Sequence, residues 1–147
     1  MSKANISFIS KIALLSNMDR PKDTISGIIT SGLGEGAFFM SMPHYKNEIK
    51  SKLGFEAYPG TLNIKVLEKD LHSLKKFKII RIAGFESKGK KFGGAGCYKS
   101  KMRSICGSII VPEYTKHKKD IIEFIAPVHI KSELNLKDGD CAEIELE

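Results

Sequence analysis

Cysteine is scarce and unpatterned in this chain: Cys97, Cys106 and Cys141 are its only three, and no two of them form a CxxC pair. An odd count at such wide spacing supplies neither a disulfide framework nor a zinc knuckle, so the three read as reduced and mostly structural. Long apolar runs are missing too. No stretch approaches the roughly 20 residues that cross a bilayer, and the N-terminal ISFISKIALLS is broken by Lys11 and lacks a small-residue cleavage site. A cytoplasmic protein with no membrane partner is expected. The four histidines, His44, His72, His117 and His129, show no HxxxH-like ligand spacing and read as surface or helix-cap residues. Acid is in deficit: 17 Asp and Glu stand against 24 Lys and Arg, a formal net charge of +7. That balance favours an anionic partner, which charge alone leaves open between nucleic acid, nucleotide phosphate and an acidic surface. The lysines of SKGKKFGGAGCYKSKMR and TKHKKD read as solvated loops. Because the basic residues are scattered rather than gathered on one helix or arm, no nucleic acid is expected.

What is present suits one folded domain. The chain has 147 residues, 41% hydrophobic and 28% charged, enough to bury a real core. Residues 1–23 read as an N-terminal extension with a short amphipathic helix over 5–15, ended by the polar NMDRPKD segment and Pro21. The domain proper spans 24–147. It opens with a strand over Ile25 to Thr30, a glycine-rich loop, a strand over Ala37 to Met42, then Pro43 and the helical stretch HYKNEIKSKLGF. In that stretch Tyr45, Ile49 and Leu53 recur every four residues and Gly54 is the stop. After a Tyr-Pro-Gly turn comes a strand over Thr61 to Leu67.

The C-terminal third repeats this order: a strand over Cys106 to Val111, a basic loop, a strand over Ile121 to Ile125, Pro127, the helical stretch HIKSELNL, and a strand over Cys141 to Leu146. Two β-loop-β-α-β units related in this way imply a pseudo-twofold architecture, since neither half buries its sheet face alone. Between them, FKIIRIAGFESKGKKFGGAGCYKSKM reads as a hairpin turning at SKGK, followed by a glycine-loosened arm. Short interleaved strands with two short helices point to a closed, mainly β barrel, because closure removes unpaired edges.

Three segments carry chemistry. SGLGEG, residues 31–36, is neither a dinucleotide fingerprint, because a β-like AFFMSM follows it where a helix is required, nor a Walker loop, because no Lys-Ser/Thr follows its last glycine. It is either a plain glycine-rich connection or a nest of backbone N–H groups that binds an anion. In PGTLN, Thr61 and Asn63 share one strand face while Leu62 and Ile64 share the other. Two neutral oxygens there serve either as turn-bonding groups or as ligands for Mg²⁺ whose shell a polyphosphate completes. In IIEFIAP, Glu123 interrupts an apolar strand, so it is either solvent-facing or paired with a ligand's donor, an unpaired buried carboxylate being costly. Phe38, Phe39, Phe55 and Tyr58 either wall a flat ring or fill the core, with Tyr58 beside Pro59 the preferred stacking residue.

Taken in order, SGLGEGAFF, LGFEAYPGTLNIKV, VPEYTKH, IIEFIAP and LNLKDGDCAEIEL resemble the archaeal CTP-dependent riboflavin kinase family across residues 25–146. The resemblance implies a six-stranded cradle-loop (RIFT-type) β-barrel. It also implies transfer of the γ-phosphoryl group of CTP to riboflavin, giving FMN and CDP, with Mg²⁺ as cofactor. By match to the family's motifs, Gly32, Leu33, Gly34, Glu35, Gly36 and Ala37 would line the nucleotide, and Val128, His129, Ile130 and Lys131 would close its other side. Thr61 and Asn63 would hold Mg²⁺, and Thr115 and Glu123 would contact the flavin. Glu123 is also the candidate for orienting or deprotonating the attacking hydroxyl. A phosphoryl-transfer transition state needs positioning and charge neutralisation more than a nucleophile, so a site without a conspicuous nucleophile is chemically reasonable. A monomer is expected. Two other readings remain: a non-catalytic DNA-binding regulator of the swapped-hairpin barrel type, and a flavin or nucleotide sensor without turnover.

Overall fold

The computed structural model describes residues 23–32, 35–113 and 120–147, with Glu35 described in its backbone alone. The helix expected over 5–15 lies outside the described residues. In chain order the elements are β1 (Thr24–Thr30), α1 (Glu35–Met40), α2 (Pro43–Leu53), β2 (Leu62–Val66), α3 (Glu68–Ser73), β3 (Ile80–Ile82), β4 (Phe85–Ser87) and β5 (Lys90–Phe92). Then follow β6 (Ala95–Met102), β7 (Ile105–Pro112), β8 (Ile121–Ile125), α4 (Ile130–Glu133) and β9 (Cys141–Leu146). Six strands run in the antiparallel order β6-β7-β8-β2-β1-β9, and β9 returns to β6 through Ser100 opposite Leu146 and Lys101 opposite Glu145. The ring is therefore a closed barrel, mainly β with few short helices. Strand β3 lies against β6 outside the ring, and β4 with β5 forms a separate hairpin.

Alternation along the strands divides the apolar residues into two cores. Ile25 and Ile29 of β1, Leu62, Ile64 and Val66 of β2, Ile109, Ile122 and Phe124, and Ala142, Ile144 and Leu146 of β9 fill the barrel interior. A second core forms outside, where Tyr45, Ile49 and Leu53 of α2 cover Ile82, Ala95, Cys97, Ile110 and Ile125. The four-residue spacing read in α2 is the stripe it buries. Pro43 occupies its first turn, and Gly54 ends it at φ 86°, donating its N–H to the carbonyls of Ile49 (3.2 Å) and Lys50 (3.1 Å). The burial of Cys97 pushes its thiol up to about 12, so it behaves as a small core hydrophobe. Cys106 and Cys141 are exposed, so only one of the three cysteines is a core residue.

Three segments differ from the sequence expectation. Residues 37–42 form no strand: α1 runs through Met40, with the Ser41 N–H bonded to the Ala37 carbonyl at 3.1 Å. AFFM does not alternate. Phe39 and Met40 pack onto the second core while Phe38 stays 59% exposed, which is the spacing of a helix face. The glycine loop thus leads into a helix after all, and the first half of the chain lacks the middle strand read into it. The arm read as glycine-loosened contains β6, an eight-residue strand paired along its length with β7. Its small residues are used for close packing: a Cβ on Gly96 would press into Ile79. The helical stretch after Pro127 shrinks to the four residues of α4. The SKGK turn is as read, with Lys88 (φ 52°) and Gly89 (φ 76°) both left-handed, the two-residue hairpin geometry.

Helix α2 is tied to β3 by Glu48, whose carboxylate accepts the Ala83 N–H at 2.7 Å and the Lys52 ammonium at 2.8 Å. Stacked rings add to this, His44 on Phe85 (4.5 Å) and Phe85 on Phe92 (4.8 Å), so the β4–β5 hairpin leans on the same helix. Ile49, fully buried, is the central knob. Ile49→Ala is expected to lower unfolding stability by about 3 kcal/mol in urea titration; a loss below about 1 kcal/mol would mean that α2 does not pack as described. The backbone hydrogen bond from Ala83, then Lys52, holds the Glu48 carboxyl below its ordinary value of 4.5. A lowered carboxyl stabilises the fold above its unfolded value and loses that contribution as pH falls through the native one. Glu48→Gln is expected to flatten the acid limb of the stability–pH curve below about pH 4.5, and an unchanged limb contradicts the tether.

Candidate functional site

At one end of the barrel β1 stops, β2 starts, β8 stops and β9 starts. The register there sets Thr30 opposite Asn63 and Asn63 opposite Glu123. The same row continues through Ile110, Cys97 and Ile80. All six side chains therefore share the outer face of the sheet. Its apolar half lies in the core covered by α2, while its polar half lies under the glycine loop. A Cβ on Gly32 would collide with the Asn63 amide, and a Cβ on Gly36 would collide with the Thr61 hydroxyl. A side chain at either position would have to displace the polar side chain beneath it.

Asn63 and Glu123 are both buried, at 7% and 8% exposure. The Thr61 hydroxyl donates to Glu123 Oε1 at 2.8 Å, so the buried carboxylate is held by a protein donor, an outcome between the two readings its sequence left open. Asn63 Oδ1 is buried and accepts no hydrogen bond. A buried amide oxygen without a donor is costly unless something else satisfies it. Beside it stands the Thr61 hydroxyl, a second hard neutral oxygen, and this pair fits Mg²⁺, which takes oxygen ligands and shares its shell with phosphates. Among the described residues no three His, Cys, Asp or Glu side chains converge on a metal-binding geometry.

Next to this cluster opens a cavity of about 260 Å³ between Ala37, Tyr58 and Thr61 on one side and Val128, His129 and Lys131 on the other. The Tyr58 N–H is fixed on the Ala126 carbonyl at 2.8 Å, and the Pro59-Gly60 turn follows, closed by the Gly60 N–H on the Tyr58 carbonyl at 2.8 Å. The Tyr58 and His129 rings lie 5.0 Å apart, tilted by 33°. His129 is set by a 2.6 Å contact between Nδ1 and Ser132 Oγ. Lys131 lines the cavity, and its ammonium donates to Asp138 Oδ1 at 2.7 Å, while the Ser31 hydroxyl donates to Asp138 Oδ2. Lys131 first and Ser31 second hold the Asp138 carboxyl below its usual range.

The sequence-predicted residues mostly converge. Gly32 and Gly36 rest on Asn63 and Thr61, and Ala37, Thr61, Val128, His129, Ile130 and Lys131 line one cavity. Glu123 bonds Thr61. Leu33, Gly34 and Thr115, together with the Glu35 side chain, lie outside the described residues. Of the four aromatics, Tyr58 is the one on the cavity, whereas Phe39 and Phe55 pack on the second core. Sequence reasoning missed Ser31 and Asp138. A Lys-Asp-Gly-Asp turn signals only a turn, and nothing in it shows that its first acid meets a serine 107 positions earlier.

A closed antiparallel barrel with one polar corner, glycine-covered and beside a cavity, defines a small barrel protein with a candidate ligand site. The model of the CTP-dependent riboflavin kinase domain, described as a domain of unknown function (DUF120), matches residues 29–146, and the chain belongs to this family. It is 44% identical over 123 residues to a riboflavin kinase of Pyrobaculum aerophilum, covering 82% of this chain and 59% of that protein. It is 45% identical over 128 residues to the riboflavin kinase of Pyrobaculum islandicum, with 83% and 59% covered. Against that of Methanocella arvoryzae it is 38% identical over 121 residues, with 82% and 56% covered. The chain thus spans somewhat under three-fifths of the length of these curated relatives.

Thr61 supplies a donor to the buried Glu123 carboxylate, so Thr61→Val is expected to cost about 1–3 kcal/mol in chemical denaturation, while Thr61→Ser keeps most of the stability. Equal midpoints for the two variants would show that the bond carries no weight.

Proposed function

We propose that this chain is a CTP-dependent riboflavin kinase: it transfers the γ-phosphoryl group of CTP to the 5′-hydroxyl of riboflavin, releasing FMN and CDP. The observation that carries the reading is the seat of Gly32 and Gly36 on Asn63 and Thr61 beside the cavity. Membership of the family and the names of its relatives, each called a riboflavin kinase, support it. Residues 24–147 serve as the catalytic domain, acting as a cytoplasmic monomer on riboflavin and CTP. No helix among the described residues is long and apolar enough to cross a membrane.

In this reading the segment from Gly32 through Leu33, Gly34, Glu35 and Gly36 to Ala37 turns backbone N–H groups toward the phosphates, the geometry in which successive amides bind an anion. Val128, His129, Ile130 and Lys131 close the opposite side, with Tyr58 and His129 offering their ring faces to the base. Thr61 and Asn63 would hold Mg²⁺, which when bound neutralises charge on the transferring phosphate. Thr115 and Glu123 anchor the flavin. Glu123, kept in place by Thr61, accepts a hydrogen bond from the riboflavin 5′-hydroxyl and so aims its oxygen at the γ-phosphorus. Such a site works by positioning two substrates and neutralising charge, which is what a loose phosphoryl-transfer transition state requires.

The test is to incubate the protein with riboflavin, Mg²⁺ and each nucleoside triphosphate in turn, and to follow FMN by chromatography. FMN with CTP, and far less with ATP, GTP or UTP, is expected; equal yields with ATP remove the CTP preference, and no FMN with any donor removes the kinase reading. DNA binding that collapses with salt, without FMN, would favour the regulator. Asn63→Ala is expected to lower Mg²⁺-dependent turnover by roughly 100-fold or more, the scale of losing a metal-ligand or charge-stabilising contact. Full turnover in that variant removes Asn63 from the metal.

A further inference from the structure

We infer that Asp138 is a positioning residue for the nucleotide, clamping the foot of the glycine loop and the Lys131 ammonium to one carboxylate. The inference rests on the kinase reading and adds two residues to it. Three chain segments meet at this point. Ser31, the residue before Gly32, donates to one Asp138 oxygen, and Lys131 of α4 donates to the other at 2.7 Å. The turn that carries Asp138 is itself fixed to the end of β1. The Gly139 N–H donates to the Ile29 carbonyl at 2.8 Å, and the Ile29 N–H donates to the Asp140 carbonyl at 2.9 Å. Asp140 in turn accepts the Lys137 N–H at 2.9 Å. The carboxylate therefore stands on a turn bonded to β1 and joins the residue before Gly32 to Lys131 of the cavity lining.

What it does follows from charge and entropy. Lys131 is the only Lys or Arg among the described residues that line the cavity, and a free lysine side chain samples many rotamers. Asp138 removes that freedom in advance, while the Ser31 bond holds the glycine loop at its first residue, so less order has to be imposed when phosphate binds. An acid near a phosphate site also repels the ligand. Here the repulsion is small, because Asp138 and Lys131 are a half-exposed, mutually neutralising pair. The two effects have opposite signs, and positioning is the larger.

The probe is CDP with Mg²⁺, measured by calorimetry on the full chain, together with the CTP and riboflavin KM values. Asp138→Ala is expected to weaken CDP binding and raise the CTP KM by about fivefold, leaving kcat and the riboflavin KM within about twofold. Ser31→Ala, which alters no charge, is expected to weaken CDP by about twofold, and Asp138→Glu to restore part of the loss. The double variant Ser31→Ala with Asp138→Ala is expected to match Asp138→Ala alone, since both remove one junction. Tighter CDP binding in Asp138→Ala would mean that repulsion dominates and overturns the inference, as would an unchanged affinity or an equal fall in kcat and in affinity for both substrates. No FMN with any donor removes the kinase reading, while the CDP titrations still test the clamp; FMN formation with no CDP binding in the wild type removes the clamp alone.

Discussion

The antiparallel register that places Asn63 between Thr30 and Glu123 is the constraint on which the rest of the molecule depends. A slip of one residue in β2 would turn Asn63 into the barrel interior and Leu62, Ile64 and Val66 out of it. The interior core and the polar corner are therefore two consequences of a single alignment. Closure of β9 onto β6 then removes both sheet edges and makes the alignment rigid.

The outer row of the sheet shows how one surface performs two tasks. From Glu123 toward Ile110 and Cys97 it is apolar, and α2 buries it with Tyr45, Ile49 and Leu53. From Glu123 toward Asn63 and Thr30 it is polar, and backbone rather than side chains covers it, because Gly32 and Gly36 bring the chain down onto Asn63 and Thr61. A side chain at either glycine would press on the polar group beneath it. The short helix α1 follows at once and sends Phe39 and Met40 into the apolar half, so the loop is anchored at its far end by packing and at its near end by Ser31 on Asp138.

Much of this was legible along the chain. The strands at 24–30, 62–66, 121–125 and 141–146, the helix capped by Gly54 and the hairpin turning at Lys88-Gly89 all declared themselves through alternation, four-residue spacing or turn residues. AFFM and the stretch leading into β6 did not. AFFM contains too few residues to distinguish a helix face from a strand, and packing of Phe39 and Met40 against α2 settled it. The glycines at the start of β6 suggested looseness, yet Gly96, within that strand, is where Ile79 packs close against the backbone. In the candidate site, the family's motifs located PGTLN, IIEFIAP and the glycine loop, but not the neighbours each would have.

By itself the sequence determined the polarity pattern of each strand, the glycines at close-approach positions, and the presence of Thr61, Asn63 and Glu123 on their faces, because backbone geometry links those properties to local spacing. Only the tertiary structure decided that Thr61 donates to Glu123, that Asn63 Oδ1 is left without a donor, and that Ser31 and Lys131 meet at Asp138. These are contacts between residues as far as 107 positions apart. No local spacing encodes them, since they arise when barrel closure brings distant strand ends to the same rim.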